Sequence, residues 1–127
     1  MQNSTLWADV AHPIFIGLHG DVERNEVMEN LTYRNIDILD HREMQVDYQG
    51  CLAINAGDNN LVRNVRFENI RIENFRQGQL VNLRIFYNKK YCKAPGRGIE
   101  NVLLKILPIM AIMPNSHILL AMTRNGW

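Results

Sequence analysis

The chain has 127 residues, 46% of them hydrophobic and 21% charged, and 14 Lys+Arg against 13 Asp+Glu leave a net charge of +1. This composition fits a single globular domain and excludes a disordered one. The balanced charge gives no electrostatic footprint for nucleic acid or an acidic membrane, and no apolar stretch predicts a membrane span.

In chain order, Met1-Gln-Asn-Ser-Thr-Leu-Trp7 reads as a strand entered with no cap before it, and it carries no export signal. The segment Trp7-Ala-Asp9-Val-Ala-His12 then predicts a turn. Trp7 offers an apolar face for stacking or corner packing, and Asp9 stands three residues before His12. Pro13 to Leu18 is a short apolar run, and Leu18-His19-Gly20-Asp21 reads as a strand end passing into a turn. Val27 to Ile38 alternates apolar and polar residues, which is strand spacing. Cys51 to Ala56 is a second short apolar run, Asp58-Asn59-Asn60 a turn, and Leu61 to Ile72 a second alternating segment. Leu80 to Phe86 is the third run, followed by a Gly/Pro-bearing loop from Asn88 to Gly98 with Lys89, Lys90 and Lys93. Cys51 and Cys92 make no Cys-x-x-Cys pair, so both are expected to be structural, and neither a metal nor a cofactor is expected.

These segments repeat. Val27 to Ile38 aligns with Leu61 to Ile72, matching Asn30 with Asn64, Tyr33 with Phe67 and Asn35 with Asn69, and Gly98 to Leu103 starts a third copy with Asn101 in the place of Asn64. The spacings are 64 − 30 = 34 and 101 − 64 = 37 residues. The short runs align as well. Ile14/Leu52/Val81, Ile16/Ile54/Leu83 and Leu18/Ala56/Ile85 form inward rows, and Phe15/Ala53/Asn82 and Gly17/Asn55/Arg84 form outward ones. Apolar rows that no single unit can bury imply a solenoid. Strand-rich units with Asn at the bends predict an all-β, right-handed parallel β-helix of about three coils over residues 1–103, with Asn side chains bonded from coil to coil.

Ile99-Glu-Asn-Val102 and Phe67-Glu-Asn-Ile70 resemble the coils of polygalacturonase-type β-helix glycoside hydrolases. The resemblance implies inverting hydrolysis of a plant-type or other acidic polysaccharide by paired carboxylates, and a secreted or periplasmic setting. Ala11-His12-Pro13-Ile14-Phe15-Ile16-Gly17 is similar to the family's Gly-His-Gly-x-Ser-Ile-Gly, which puts His12 at the active-site histidine. His12 and Asp9 are therefore the catalytic candidates. Gln49-Gly50-Cys51-Leu52-Ala53-Ile54 is similar to Asp-Asp-Cys-x-Ala-Ile, with Gln49 and Gly50 where the acid pair belongs, and Arg84-Ile85 matches the start of Arg-Ile-Lys. The catalytic pair is thus expected outside this chain, leaving a fragment without activity of its own. Trp7, His19, Asn55 and Arg84 are the substrate-binding candidates, Arg84 because a guanidinium suits a planar uronate carboxylate. The alternative is a non-catalytic carbohydrate-binding or structural β-helix module.

After Leu103 the alternation stops. Residues 104–127 are apolar, Met-rich and nearly free of acid, which predicts an irregular tail. In one back-translation, restoring a single T converts Leu103 to Ala111 into Leu-Phe-Lys-Asp-Ile-Thr-Tyr-Asn-Gly, which renews the repeat pattern. The tail is therefore expected to be a frameshift product of a longer solenoid, whose open coil ends would self-associate.

Overall fold

The computed structural model describes residues 1–8, 10–45, 50–107, 111–112 and 119–123. All regular structure among them is β, in strands β1 (Gln2–Leu6), β2 (Ile14–Ile16), β3 (Val27–Ile38), β4 (His41–Arg42), β5 (Leu52–Ala56), β6 (Leu61–Ile72), β7 (Asn74–Gln77), β8 (Gln79–Ile85), β9 (Gly98–Ile106), β10 (Ala111–Ile112) and β11 (Leu119–Thr123). They form three sheets: sheet A in the order β1-β3-β6-β9, sheet B in the order β4-β7-β10, and sheet C in the order β2-β5-β8-β11. Every ladder in them is parallel. From β3 onward the chain visits A, B and C in turn, three times over.

The sequence repeat is the register of sheet A. Leu31 pairs with Val65, Tyr33 with Phe67 and Ile36 with Ile70, while Val65 pairs with Val102. Side chains on a strand alternate between faces, yet the buried residues of β6 run Val62, Val65, Phe67, Ile70, Ile72. The two extra residues are Asn64 and Asn69, which take positive φ of 54° and 53°. Each left-handed residue drops out of the ladder and rephases the alternation, so that apolar side chains return to the core. Asn and Asp are the non-glycine residues that best tolerate this conformation. The rephasing at Asn69 is legible as a change of alternation; the one at Asn64 is a structural finding.

The left-handed asparagines stack in two columns. Asn69 Nδ2 donates to Asn35 Oδ1 at 2.7 Å, and Asn35 Nδ2 to Asn3 Oδ1 at 3.0 Å. Asn101 Nδ2 donates to Asn64 Oδ1 at 2.8 Å, and Asn64 Nδ2 to Asn30 Oδ1 at 3.2 Å. Opposite charges meet in register on the exposed face, with Arg63 on Glu29, Arg34 on Glu68 and Arg71 on Asp37. Hydrogen bonds from Arg66 and Arg34 hold the Glu68 carboxyl below the usual range.

One core joins the inner faces of all three sheets, with Phe67 and Ile70 from sheet A, Phe75 from sheet B, and Leu52, Ile54 and Val81 from sheet C. The rows Ile14/Leu52/Val81 and Ile16/Ile54/Leu83 stack as the sequence predicts. The third row holds only in part. Ala56 pairs with Ile85, but Gly17 at φ +79° turns the chain before Leu18 can join. Strand β5 is buried on both faces, as central strands of covered parallel sheets are.

Two expectations about chain organisation change. Strand β9 runs on to Ile106, pairing Leu103 with Arg66 and Ile106 with Ile70, and the register shifts where Asn69 finds no counterpart. Beyond it, β10 pairs with β7 and β11 with β8, so the described part of the tail is laddered, not irregular. Residues 108–110, 113–118 and 124–127 lie outside the described residues.

Candidate functional site

The predicted residues do not gather at one place: Trp7 follows β1, His12 and His19 flank β2, and Asn55 and Arg84 lie in β5 and β8. Asp9 and Gln49 lie outside the described residues. Trp7 directly follows β1 and is 73% exposed. His12 precedes β2 and packs on Phe15, with ring centroids 4.4 Å apart. His19 lies beyond the other end of β2, exposed, with its Nδ1 3.7 Å from Asp58 Oδ2. The structure therefore separates His12 from His19. Arg84 pairs with Asn55 in the ladder, is half-buried, and stands 5.4 Å over the Phe86 ring. Asn55 needs a correction. Expected on an outward, substrate-facing row, it is fully buried and donates through Nδ2 to Asn82 Oδ1 at 3.0 Å, while Asn82 donates in turn to Gln79 Oε1. A polymer sliding over the surface does not reach it.

The entry to β2 gathers His12 with residues around β4. His41 pairs with Phe75 in sheet B, its ring 5.2 Å from the phenyl, and is fully buried. Neither of its ring nitrogens has a hydrogen-bond partner. Burial pushes its pKa down to about 4, opposed by the Asp40 charge and reinforced by His12, so the imidazole is neutral at pH 7. Burial also lowers His12, against the pull of Glu43. Glu43 is 5% exposed, and its Oε1 accepts from Gln45 N at 3.0 Å. Arg76 reaches Asp40 through two nitrogens, Nε at 3.0 Å and Nη2. Gly78 sits at φ +123°, where an added Cβ would lie 2.8 Å from His41 Nε2. Sequence reading missed His41 and Glu43. The signal was the repeat itself, since 41 + 34 = 75 puts His41 in register with the core residue Phe75.

A second cluster is built on the turn after β5. Asp58 and Asn59 hold positive φ of 47° and 60°. Asp58 N donates to Ala94 O at 2.8 Å and Asn59 N to Pro95 O at 3.0 Å, which ties the loop after β8 to this turn. The Asp58 carboxylate accepts from Gly20 N at 3.2 Å and from Lys93 N at 2.7 Å. Asn59 Nδ2 donates to Val22 O and Asn60 Nδ2 to His19 O. Among the described residues, His19, Asp58 and Cys92 form a group able to hold a metal ion, with ligand atoms all within 4.8 Å of one another. Asp58 and Cys92 were read as turn and structural residues because they are distant in sequence and meet only through the fold.

On sheet A, Asn30, Asn64 and Asn101 with Thr32, Arg66 and Leu103 line a shallow groove of about 280 Å³. It crosses three strands, at right angles to the chain direction.

A scan against protein-family models matches none, and searches among curated proteins and solved structures find no match.

Proposed function

We propose that the chain forms coils of a right-handed parallel β-helix of the polygalacturonase type and that it binds an acidic, plant-type polysaccharide. The observation that carries this reading is the passage through sheets A, B and C three times with the repeat as register, spliced by asparagine columns. One cycle of three parallel sheets is one coil, and parallel crossovers are right-handed in nearly all proteins. The coil resemblance at Phe67 to Ile70 and Ile99 to Val102 points the same way.

In this reading Trp7 supplies the stacking surface, being 73% exposed. His12 stands ahead of β2, and Arg84 offers its guanidinium from the far end of β8 to a uronate carboxylate. Asn55 drops out of the set, and His19 belongs to the cluster at the turn after β5. The residues favour binding over hydrolysis. Inverting hydrolysis needs two carboxyl groups about 6.5–9.5 Å apart, one protonated and one free to activate water. Asp40 is held by Arg76, Asp58 by two backbone amides and Glu43 by the Gln45 amide. The resemblance carries with it an extracellular or periplasmic setting.

Titration calorimetry with oligogalacturonides, alongside a reducing-sugar assay, tests this. The expected result is binding without sugar release, with Trp7→Ala lowering affinity by up to about tenfold and leaving the circular dichroism spectrum unchanged. Failure to bind acidic or neutral plant glycans at millimolar concentration would overturn the reading. Sugar release would replace it with the hydrolase.

A further inference from the structure

The turn after β5 collects three kinds of metal-binding side chain from three separate stretches of chain. We propose that His19, Asp58 and Cys92 form a site for a zinc-class divalent cation, held by a His19 ring nitrogen, an Asp58 carboxylate oxygen and the Cys92 thiolate, with water completing the shell. This site is independent of the polysaccharide reading.

Distance comes first. Tetrahedral zinc, with bonds of about 2.0–2.3 Å, places its ligand atoms roughly 3.3–3.8 Å apart. His19 Nδ1 and Asp58 Oδ2 already stand at 3.7 Å, and all three ligand atoms lie within 4.8 Å. Bringing the other pairs into that range takes at most about 1.5 Å, shared between the Cys92 side chain and the His19 side chain, which is 63% exposed. The other two ligands are buried, with Asp58 5% and Cys92 4% exposed.

The surroundings are arranged as a second shell. Gly20 N and Lys93 N orient the Asp58 carboxylate from both sides, as outer partners orient ligands in metal sites. Cys92 N donates to Asn88 O at 2.8 Å, and its Sγ makes a long 3.8 Å contact to Leu18 O. Zinc replaces that contact, and the thiol proton passes to solvent. Space beside the sulfur is kept clear by Gly57, where a Cβ would lie 3.1 Å from Cys92 Sγ and 2.4 Å from Leu18 O. Asn60 adds an independent sign. Fully buried, it holds the His19 carbonyl through Nδ2 while its Oδ1 has no partner. That oxygen lies beside Gly20, 2.4 Å from where a Cβ would stand.

Thiolate with imidazole and one carboxylate selects zinc over calcium or magnesium, which demand oxygen shells. Three protein ligands leave one position open. The ion would clip the loop carrying Cys92 onto the turns that follow β2 and β5.

The test uses the full chain stripped with a chelator, then titrated with Zn²⁺ against a competing indicator and, separately, with Co²⁺. We expect one ion per chain, a thiolate-to-cobalt charge-transfer band in the near ultraviolet, and a higher Tm with zinc. Cys92→Ser should abolish the band. His19→Ala, at an exposed position, should keep the metal-free fold and lower Zn²⁺ affinity by about tenfold or more. His41→Leu should change neither stoichiometry nor affinity. Cobalt uptake without the band, or unaltered zinc affinity in His19→Ala, would overturn the site.

Discussion

Asparagine carries two duties in this chain, and they can be separated by mutation. At Asn69 the side chain tolerates φ +53° and also donates to Asn35. Asn69→Ala loses both, at a cost of about 1 kcal/mol for the hydrogen bond and about 1 kcal/mol for the strained backbone. Asn25 also holds positive φ, at 49°, outside either column. Asn25→Ala should therefore cost only the backbone part, about 1 kcal/mol. Urea unfolding of both variants checks this, and equal losses would mean that the columns contribute nothing. His41 sets a different dependence. Its folded pKa is about 4 against an ordinary 6.5, so the unfolded state takes up a proton first as pH falls. Its stabilising effect is complete above pH 6.5 and is lost between about pH 6.5 and pH 4, to the extent of about 3 kcal/mol. In His41→Leu the decline over this window should flatten, as read by urea midpoints at pH 7 and pH 4.5.

At the scale of elements, the loop after β8 is held by backbone contact, not by a core of its own. Gly96 packs so closely that a Cβ there would lie 2.2 Å from Ala56 O. Gly96→Ala must push the loop off β5, at a cost of about 2 kcal/mol. Trypsin should then cut faster at Lys89, Lys90 and Lys93, and an unchanged cleavage rate would show that the loop does not depend on this approach. The strands of sheets A and C were legible in the sequence because their rows repeat at fixed intervals, as Tyr33 over Phe67 and Leu52 over Val81 do. Sheet B was not. Its strands are two to four residues long, too short for alternation to register, and a histidine stands in the row of Phe75. The clusters escaped for another reason. His19, Asp58 and Cys92 come from distant turns, and Asn55 is buried although it occupies an outward position, because the outer face of β5 is covered as well.

For the whole molecule, the question is whether the three sheets stand or fall together. Their inner faces share a single core, and Phe67 lies in it fully buried, stacked 5.2 Å from Tyr33. Phe67→Ala should cost about 3–5 kcal/mol, a large share of the 5–15 kcal/mol typical of a domain. The charged ladder outside is cheap by comparison. Glu29 and Arg63 are each about two-fifths exposed, and removing Glu29 should cost less than about 1 kcal/mol. Both variants ought to unfold in one transition, because all three sheets contribute side chains to that one core. Circular dichroism and tryptic cleavage of the Lys89 loop should then report the same urea midpoint, shifted far in Phe67→Ala and barely in Glu29→Ala. If the two probes part company in Phe67→Ala, with the loop opening while sheet A persists, the sheets are separable units and the shared core is not what binds them.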